Sequence, residues 1–148
     1  MNFKRAGLLI AIILGLIVFM LNRSDVTLQS QDQFELHSLS ANGVQLQSII
    51  HLNNPNLLSA TIKRMHEDFS INGVLLGTLD NDIGQGIPGR KETGFPVTIR
   101  FTKDDYQRAV SAGASKTIDV KGEIIFQHVS GGGTIKVNLS QPIPTSAL

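Results

Sequence analysis

The sequence predicts an all-β fold, an antiparallel β-sandwich of the fibronectin-III or immunoglobulin kind with about seven strands and one short helix. Three observations support this prediction, and two of them concern the sequence pattern. Apolar residues alternate with polar ones in several short segments, and Asn-Gly or Gly-rich turn sequences separate those segments. The third is length, since 125 of the 148 residues follow the N-terminal apolar segment. A sandwich of this kind needs about 100 residues.

The N-terminal segment, residues 1–23, is predicted to be an uncleaved signal anchor, a single transmembrane helix that precedes the sandwich. In residues 6–21, 14 of 16 are apolar and the other two are glycine. A cleaved signal peptide is one alternative, although the small-residue cleavage pattern is missing, and a buried helix is another. Lys4 and Arg5 before the run, against Arg23 after it, predict a cytoplasmic N-terminus. The domain would then lie on the extracytoplasmic side, periplasmic or at the cell surface, with the membrane as a partner.

The rest of the chain divides into a polar spacer at residues 24–33, a sandwich at 34–141 and a tail at 142–148. Two prolines prevent the tail from extending a paired strand. Period-two alternation predicts strands within the sandwich. These segments are residues 34–40, 44–52, 60–71, 74–79, 95–102, 118–127 and 134–139.

One helix is predicted between the fifth and sixth strand segments. Thr102 has the side chain of an N-cap, and Asp104 and Asp105 fall in the first turn, where they complement the helix dipole. Gly113 is expected to end the helix.

The composition excludes several classes of function. There are 13 Lys+Arg against 12 Asp+Glu, and no Cys. A net charge of +1 gives no basic excess for a nucleic-acid partner. Without cysteine, disulfides, thiolate nucleophiles and Cys-ligated zinc are excluded.

No catalytic, cofactor or metal site is predicted, so the chain is not expected to be an enzyme. Residues 84–89 fit G-x-G-x-x-G, but the helix that a dinucleotide site requires does not follow, so we expect an inter-strand loop. The four histidines lack metal-ligand spacing. His66, Glu67 and Asp68 are contiguous, and we interpret them as a charged strand edge rather than an acid–base cluster.

Five short motifs follow one another along the chain. They are Asn54-Pro55-Asn56, Asn72-Gly73 with Gly77, Ile87-Pro88, Pro96-Val97 after Phe95, and a closing Gly122. This succession resembles the water-stress and hypersensitive-response (WHy) domain of the group 2 late embryogenesis abundant proteins. Phe95 departs from the family pattern, which has Val there. The resemblance implies a seven-stranded fibronectin-III-like sandwich, an association with desiccation or osmotic stress, and no catalytic residues.

The motif residues are interpreted first as structural. Pro55 lacks an N–H and ends strand pairing, while Asn54 and Asn56 hydrogen-bond nearby backbone to hold a turn. Pro88 and Pro96 mark strand edges or bulges. The alternative is that residues 54–56 and the loop at 84–90 form a surface that contacts a client protein or lipid.

Three functions are compatible with these observations. The first is a membrane-tethered, non-enzymatic stress-protection domain that makes weak contacts with envelope proteins or lipid headgroups. The second is an envelope adaptor that presents an edge strand or loop to one specific protein partner. The third is a lipid-binding sandwich that carries a small apolar ligand between its sheets.

Overall fold

The computed structural model describes residues 3–144, with side chains from residue 6 onward. Eight strands form two four-stranded antiparallel sheets, one helix precedes them and a second lies between the sixth and seventh strands. The elements are α1 (Phe3–Leu21), β1 (Thr27–Gln31), β2 (Glu35–Ser40), β3 (Gly43–Asn54), β4 (Ala60–Ile71), β5 (Val74–Ile87), β6 (Lys91–Phe101), α2 (Lys103–Ser111), β7 (Thr117–His128) and β8 (Gly131–Pro142).

The first sheet is built around β3, which pairs with β1 and β2 along one side and with β6 along the other. The second sheet has the strand order β5-β4-β7-β8. Apolar side chains from both sheets meet in a single core. Phe34 and Phe69 connect the two sheets there in an edge-to-face arrangement, with ring centroids 5.9 Å apart.

The alternation that predicts strands corresponds to burial in the structure. In β3, the inward-facing residues Val44, Leu46, Ser48, Ile50 and Leu52 are all buried, whereas the residues that alternate with them are partly or fully exposed. The predicted helix is also present, with Thr102 at the N-cap accepting a hydrogen bond from the N–H of Asp105 at 3.1 Å. The chain is therefore mostly β with a short internal helix, as predicted.

Two strand regions differ from the sequence prediction. Strand β1 lies inside residues 24–33, which were expected to be a spacer, and brings the number of strands to eight. Strand β5 continues to Ile87, so Gly84 and Gly86 belong to a strand and not to a loop. β1 pairs with β3 and β5 pairs with β4. In each case the partner strand has the stronger alternation of apolar and polar residues.

The prediction of a membrane-spanning helix is wrong. Within residues 3–144, no helix is long and apolar enough to cross a membrane. The uninterrupted apolar run has 16 residues. At 1.5 Å per residue it measures about 24 Å, which is less than the ~30 Å hydrocarbon core.

The sandwich has two ends, which we name by the helix at each. At the α1 end lie the C-terminus of α1, the β3–β4 loop, the β5–β6 turn and the β7–β8 turn. At the α2 end lie α2 and the β4–β5 turn, where the side chain of Asn72 donates to the carbonyl of Ala109 at 3.0 Å. Residues 145–148 of the predicted tail lie outside the described residues.

Candidate functional site

Asn54 and Asn56 form a buried amide pair in the loop that follows β3. Both side chains are fully buried. The Asn54 Oδ1 atom accepts from the backbone N–H of Asn56 at 3.0 Å and from its Nδ2 at 2.9 Å. The Asn54 Nδ2 atom donates to the carbonyls of Leu58 and Ile87, each at 3.0 Å. This pair fixes the β3–β4 loop against the end of β5.

The side chain of Asn56 binds the chain that leaves α1. Its Oδ1 accepts from the N–H of Ser24 at 2.9 Å, and its Nδ2 donates to the carbonyl of Ser24 at 2.8 Å. One side-chain amide thus pairs with both backbone polar groups of Ser24, as a neighbouring strand would. The backbone carbonyl of Asn56 accepts from the N–H of Arg90 at 2.9 Å, which adds the β5–β6 turn.

Asn22 completes this assembly from the helix side. It is fully buried, and its Nδ2 donates to the carbonyl of Val18 at 2.6 Å while its Oδ1 accepts from the N–H of Leu58 at 2.6 Å. The N–H of Leu57 donates to the carbonyl of Leu21 at 3.2 Å. Carbonyls at a helix C-terminus have no partner within the helix, so the sandwich supplies a hydrogen-bond donor to the Leu21 carbonyl at the end of α1. We call Asn22, Asn54 and Asn56 the asparagine junction.

Exposed apolar side chains lie on α1 and in the two loops next to the asparagine junction. The large apolar side chains of α1 from Leu8 to Leu21 are between 42% and 64% exposed. Leu57, Leu58 and Val129 are 46%, 44% and 63% exposed. They lie beside the helix, because Leu57 hydrogen-bonds to Leu21 and Ser130, which follows Val129, donates to the carbonyl of Phe19. We call these side chains together the apolar surface.

The predicted motif residues fall into three groups in the structure. Asn54, Pro55, Asn56, Ile87 and Pro88 meet at the α1 end, where the Pro88 carbonyl also lies 3.4 Å from the Asn54 amide. Asn72 and Gly73 form the β4–β5 turn at the α2 end, both with positive φ, at 50° and 77°. The remaining residues, Gly77, Pro96, Val97 and Gly122, lie within strands.

Gly122 is required by close packing inside the second sheet. A Cβ at this position would overlap the backbone carbonyl oxygen of His66 on the neighbouring strand β4. Its cross-strand partner is Glu67, whose side chain points into the core. The glycine therefore lets β7 approach β4 at the position of a buried acid.

Glu67 is a functional candidate that the sequence interpretation missed. The interpretation of His66, Glu67 and Asp68 as a charged strand edge is wrong, because β4 lies between β5 and β7. Glu67 is fully buried, and neither carboxylate oxygen has a hydrogen-bond partner among the described residues. Burial raises the pKa of the Glu67 carboxyl to about 7. The apolar neighbours Met65 and Phe69, at two residues' distance on either side, were the signal that this face points inward.

The outer faces of the sandwich carry ion pairs rather than a metal site. The ring of His51 lies 3.0 Å from the Asp32 carboxylate and 3.2 Å from the Glu92 carboxylate. Arg64 binds both carboxylate oxygens of Asp80 at 2.7 Å, and this hydrogen bonding lowers the pKa of Asp80. In the part of the chain that the structure describes, no group of three or more His, Asp or Glu residues could hold a metal ion.

Comparison with known proteins identifies one family. The model of the family described as late embryogenesis abundant protein matches residues 50–142, more than half of the chain. That match begins within β3 and ends with β8, so it includes both Asn54 and Asn56. No curated protein matches the sequence.

Several solved structures share the fold. A crystal structure of a protein from Archaeoglobus fulgidus is similar with a TM-score of 0.62 at 10% identity, over 80% of this chain and 98% of the other. A solution structure of an Arabidopsis thaliana protein gives a TM-score of 0.56 at 17% identity, over 82% of each chain. The solution structure of a protein described as late embryogenesis abundant gives 0.51 at 19% identity, over 83% of this chain and 72% of the other. At these identities the likeness shows the fold alone.

Proposed function

This chain belongs to the late embryogenesis abundant protein family, and from this premise we propose that it is a non-enzymatic domain that protects other molecules during desiccation or osmotic stress. A stress-related domain of this type is supported by the family and by the structural neighbours. Its assignment to the water-stress and hypersensitive-response subgroup stays a prediction. The protective mechanism proposed is direct, weak contact with proteins or lipids that are losing water.

The apolar surface is the observation that carries this mechanism. Large exposed apolar patches mark interaction sites, and here the large apolar side chains of α1 and of two adjoining loops are each between 42% and 64% exposed. Burial of apolar area is the main favourable term in most protein association. A protein that partly unfolds on drying exposes apolar segments of its own. The apolar surface would bind these segments by direct contact.

The asparagine junction holds the end of α1 beside the exposed leucines of the β3–β4 loop. Hydrogen bonds join the last turn of the helix to that loop, so Leu21 and Leu57 lie side by side. A surface that is held in place loses less conformational entropy on contact than a flexible one.

A drying assay with the full chain tests the proposal. A drying-sensitive reporter enzyme is dried and rehydrated with the wild-type chain or with the double variant Leu57→Ser and Leu58→Ser. The matched control is Leu39→Ser with Leu75→Ser, since these two leucines are 56% and 55% exposed but belong to the strands β2 and β5 near the α2 end. We expect the first pair to lose much of the protection and the control pair to retain it. Equal protection by all three chains, or by none, would contradict the proposed contact.

The partners and the location of the domain stay predictions. Protein clients and lipid headgroups are distinguished by repeating the assay with dye-filled vesicles in place of the reporter enzyme. Retention of dye that depends on Leu57 and Leu58 would support lipid contact. Fractionation of cells that contain the chain tests location in the envelope, and recovery with the cytoplasmic fraction would contradict it.

A further inference from the structure

Strand β8 is an edge of the second sheet, and among the described residues no further strand pairs with its outer side. All twelve residues of β8 pair with β7 at consecutive positions, without a register shift. The N–H and C=O groups that an edge strand turns away from its sheet are unpaired and can bind another strand. The edge of β8 is therefore a long and regular template for strand addition.

The other edge strands have features that hinder strand addition. β1 and β2 are five and six residues long, and each pairs with β3 through a register shift. β5 has two register shifts in its pairing with β4, and β6 contains Pro96, which lacks an N–H. Short strands, irregular pairing and proline are common protections of sheet edges. β8 has none of these three before its last residue, Pro142.

Lys136 is the one charged residue of β8, and its charge is paired within the sheet. Its Nζ donates to a carboxylate oxygen of Glu123 on β7 at 2.9 Å. A lysine on an edge strand discourages the approach of a second strand. The ion pair with Glu123 reduces this effect, because it offsets the charge that a second strand would meet.

The side chains of β8 are complementary to those of a second copy that runs antiparallel to it. With Val137 opposite Val137 of the second copy, each Ile135 lies opposite Leu139 and each Lys136 lies opposite the neutral Asn138. Ile135 and Leu139 are only partly buried in the single chain. This pairing would cover apolar area on both copies and would place no like charges directly opposite each other.

Other registers of the same pairing are less favourable. A shift by one residue would place the inward face of one copy beside the outward face of the other. A shift by two residues in one direction places Lys136 opposite Lys136 of the second copy, and like charges in that position repel. A shift by two residues in the other direction places Ile135 opposite Gln141. The register centred on Val137 is therefore the one that the sequence of β8 favours.

We propose that two copies of this chain associate through β8 and join their second sheets into one continuous eight-stranded sheet, with a two-fold axis at Val137. β8 begins at the α1 end of the sandwich and runs to the α2 end. Because the two copies are antiparallel, the dimer presents two apolar surfaces at its opposite ends. The association itself does not depend on the proposed protective function.

Disulfide cross-linking in the full-length chain tests this register, because the natural sequence contains no cysteine. Directly opposite residues of antiparallel strands have Cα atoms about 4.5–5.5 Å apart, which suits a disulfide. Val137→Cys should form a disulfide-linked dimer under mild oxidation. Leu139→Cys alone should not, whereas a mixture of Ile135→Cys and Leu139→Cys should form the linked heterodimer. Cross-linking of Leu139→Cys alone as readily as that of Val137→Cys would contradict the register.

Two charge variants at exposed positions test the association without changing the core. Thr134 lies opposite Ser140 of the second copy in the proposed register, and both are exposed. Thr134→Lys with Ser140→Lys places like charges opposite each other twice. Thr134→Glu with Ser140→Lys is the matched control, since it places opposite charges there. We expect the dissociation constant of the first variant, measured by sedimentation velocity, to exceed that of the control about tenfold.

The double variant Leu57→Ser and Leu58→Ser separates this dimer from association through the apolar surface. It should dimerise as tightly as the wild type, because residues 57 and 58 lie in the β3–β4 loop and not on β8. Loss of the dimer in this variant would assign the association to the apolar surface and refute the proposal. A wild-type chain that stays monomeric over the whole concentration series, or equal dissociation constants for the two charge variants, would also refute it.

Discussion

The buried acid Glu67 makes the stability of the sandwich depend on pH. Folding raises the pKa of its carboxyl from 4.5 to about 7 because the side chain leaves water without gaining a counter-charge or a hydrogen bond. Its cross-strand neighbours are Leu79 on β5 and Gly122 on β7, neither of which titrates. Among the described buried residues, Glu67 is the one carboxylic acid.

The direction and the size of this pH dependence follow from the coupling between proton binding and folding. Between the unfolded pKa and the folded pKa, the folded state holds a proton that the unfolded state has released, so the free energy of unfolding falls as pH rises. The fall begins near pH 4.5 and is complete above about pH 7. A shift of this size corresponds to about 3 kcal/mol, an upper value because a locally opened sheet lets the carboxylate regain water.

Replacement of Glu67 by a neutral residue of similar size should remove this dependence. We expect Glu67→Gln to match the wild type near pH 4 and to be more stable by up to about 3 kcal/mol at pH 8. Glu67→Met should gain at least as much, since it buries no polar group. Urea unfolding at a series of pH values measures the difference between each variant and the wild type.

The comparison between variant and wild type separates the effect of Glu67 from that of every group that the two chains share. The contacts of His51 and His66 with carboxylates on the outer faces are examples, because they are present in both chains. Glu35→Gln is the matched control, because Glu35 is exposed on β2. A difference between Glu67→Gln and the wild type that does not change from pH 4 to pH 8 would refute the reasoning.

Three further substitutions test the parts of the structure that the motifs occupy. Asn56→Ala should lower the free energy of unfolding by about 2–4 kcal/mol, since it removes two hydrogen bonds to the Ser24 backbone and a buried one to Asn54. It should also speed proteolysis after α1. Asn138→Ala, at an exposed position, is the control and should change neither quantity. Gly122→Ala should lower the free energy of unfolding by about 3 kcal/mol or more, because the new Cβ would overlap the backbone of β4. Gly86→Ala should be tolerated, because its Cβ would lie 3.8 Å from the nearest atom. Equal thermal midpoints for the two variants would refute the close-packing argument. Asn72→Ala should lower the free energy of unfolding by about 1–2 kcal/mol, because Asn72 has a left-handed backbone conformation and its side chain also binds α2. Asn72→Gly should recover the part that is due to the backbone conformation and not the part that is due to the hydrogen bond. Denaturant midpoints of the two variants therefore measure the two contributions separately.

Apolar periodicity predicted the strands where the strand itself buries a continuous face. Strand β3 is an example, since its inward side chains are apolar along most of its length. Strand β1 was not predicted because it contains one apolar residue, Leu28, and pairs with β3 through a register shift. Its position is determined by pairing with residues that lie 19 to 26 positions further along the chain, and a local sequence pattern carries no information about such a distant partner.

The motif residues show a similar division between local and long-range information. The turn role expected for Asn54 and Asn56 is present, because the Asn54 side chain accepts from the N–H of Asn56 two residues later. The contacts of Asn56 with Ser24 join residues 32 positions apart, and no local rule predicts them. Asn22 had a weaker signal, a polar residue directly after an apolar run at a helix end.

The chemistry of the asparagine junction explains why amides, rather than apolar side chains, connect α1 to the sandwich. The end of a helix and the start of a chain segment both present backbone groups that must be paired when they are buried. A leucine at position 56 could fill space but could neither donate to the Ser24 carbonyl nor accept from the Ser24 N–H. An aspartate could accept but not donate, and it would bring a charge into a buried position. A side-chain amide carries one acceptor and two donors, so Asn56 pairs with Ser24 in both directions and still donates to Asn54. Directional hydrogen bonds therefore join the last turn of the apolar helix to the sandwich, and its apolar side chains stay exposed and available for contact.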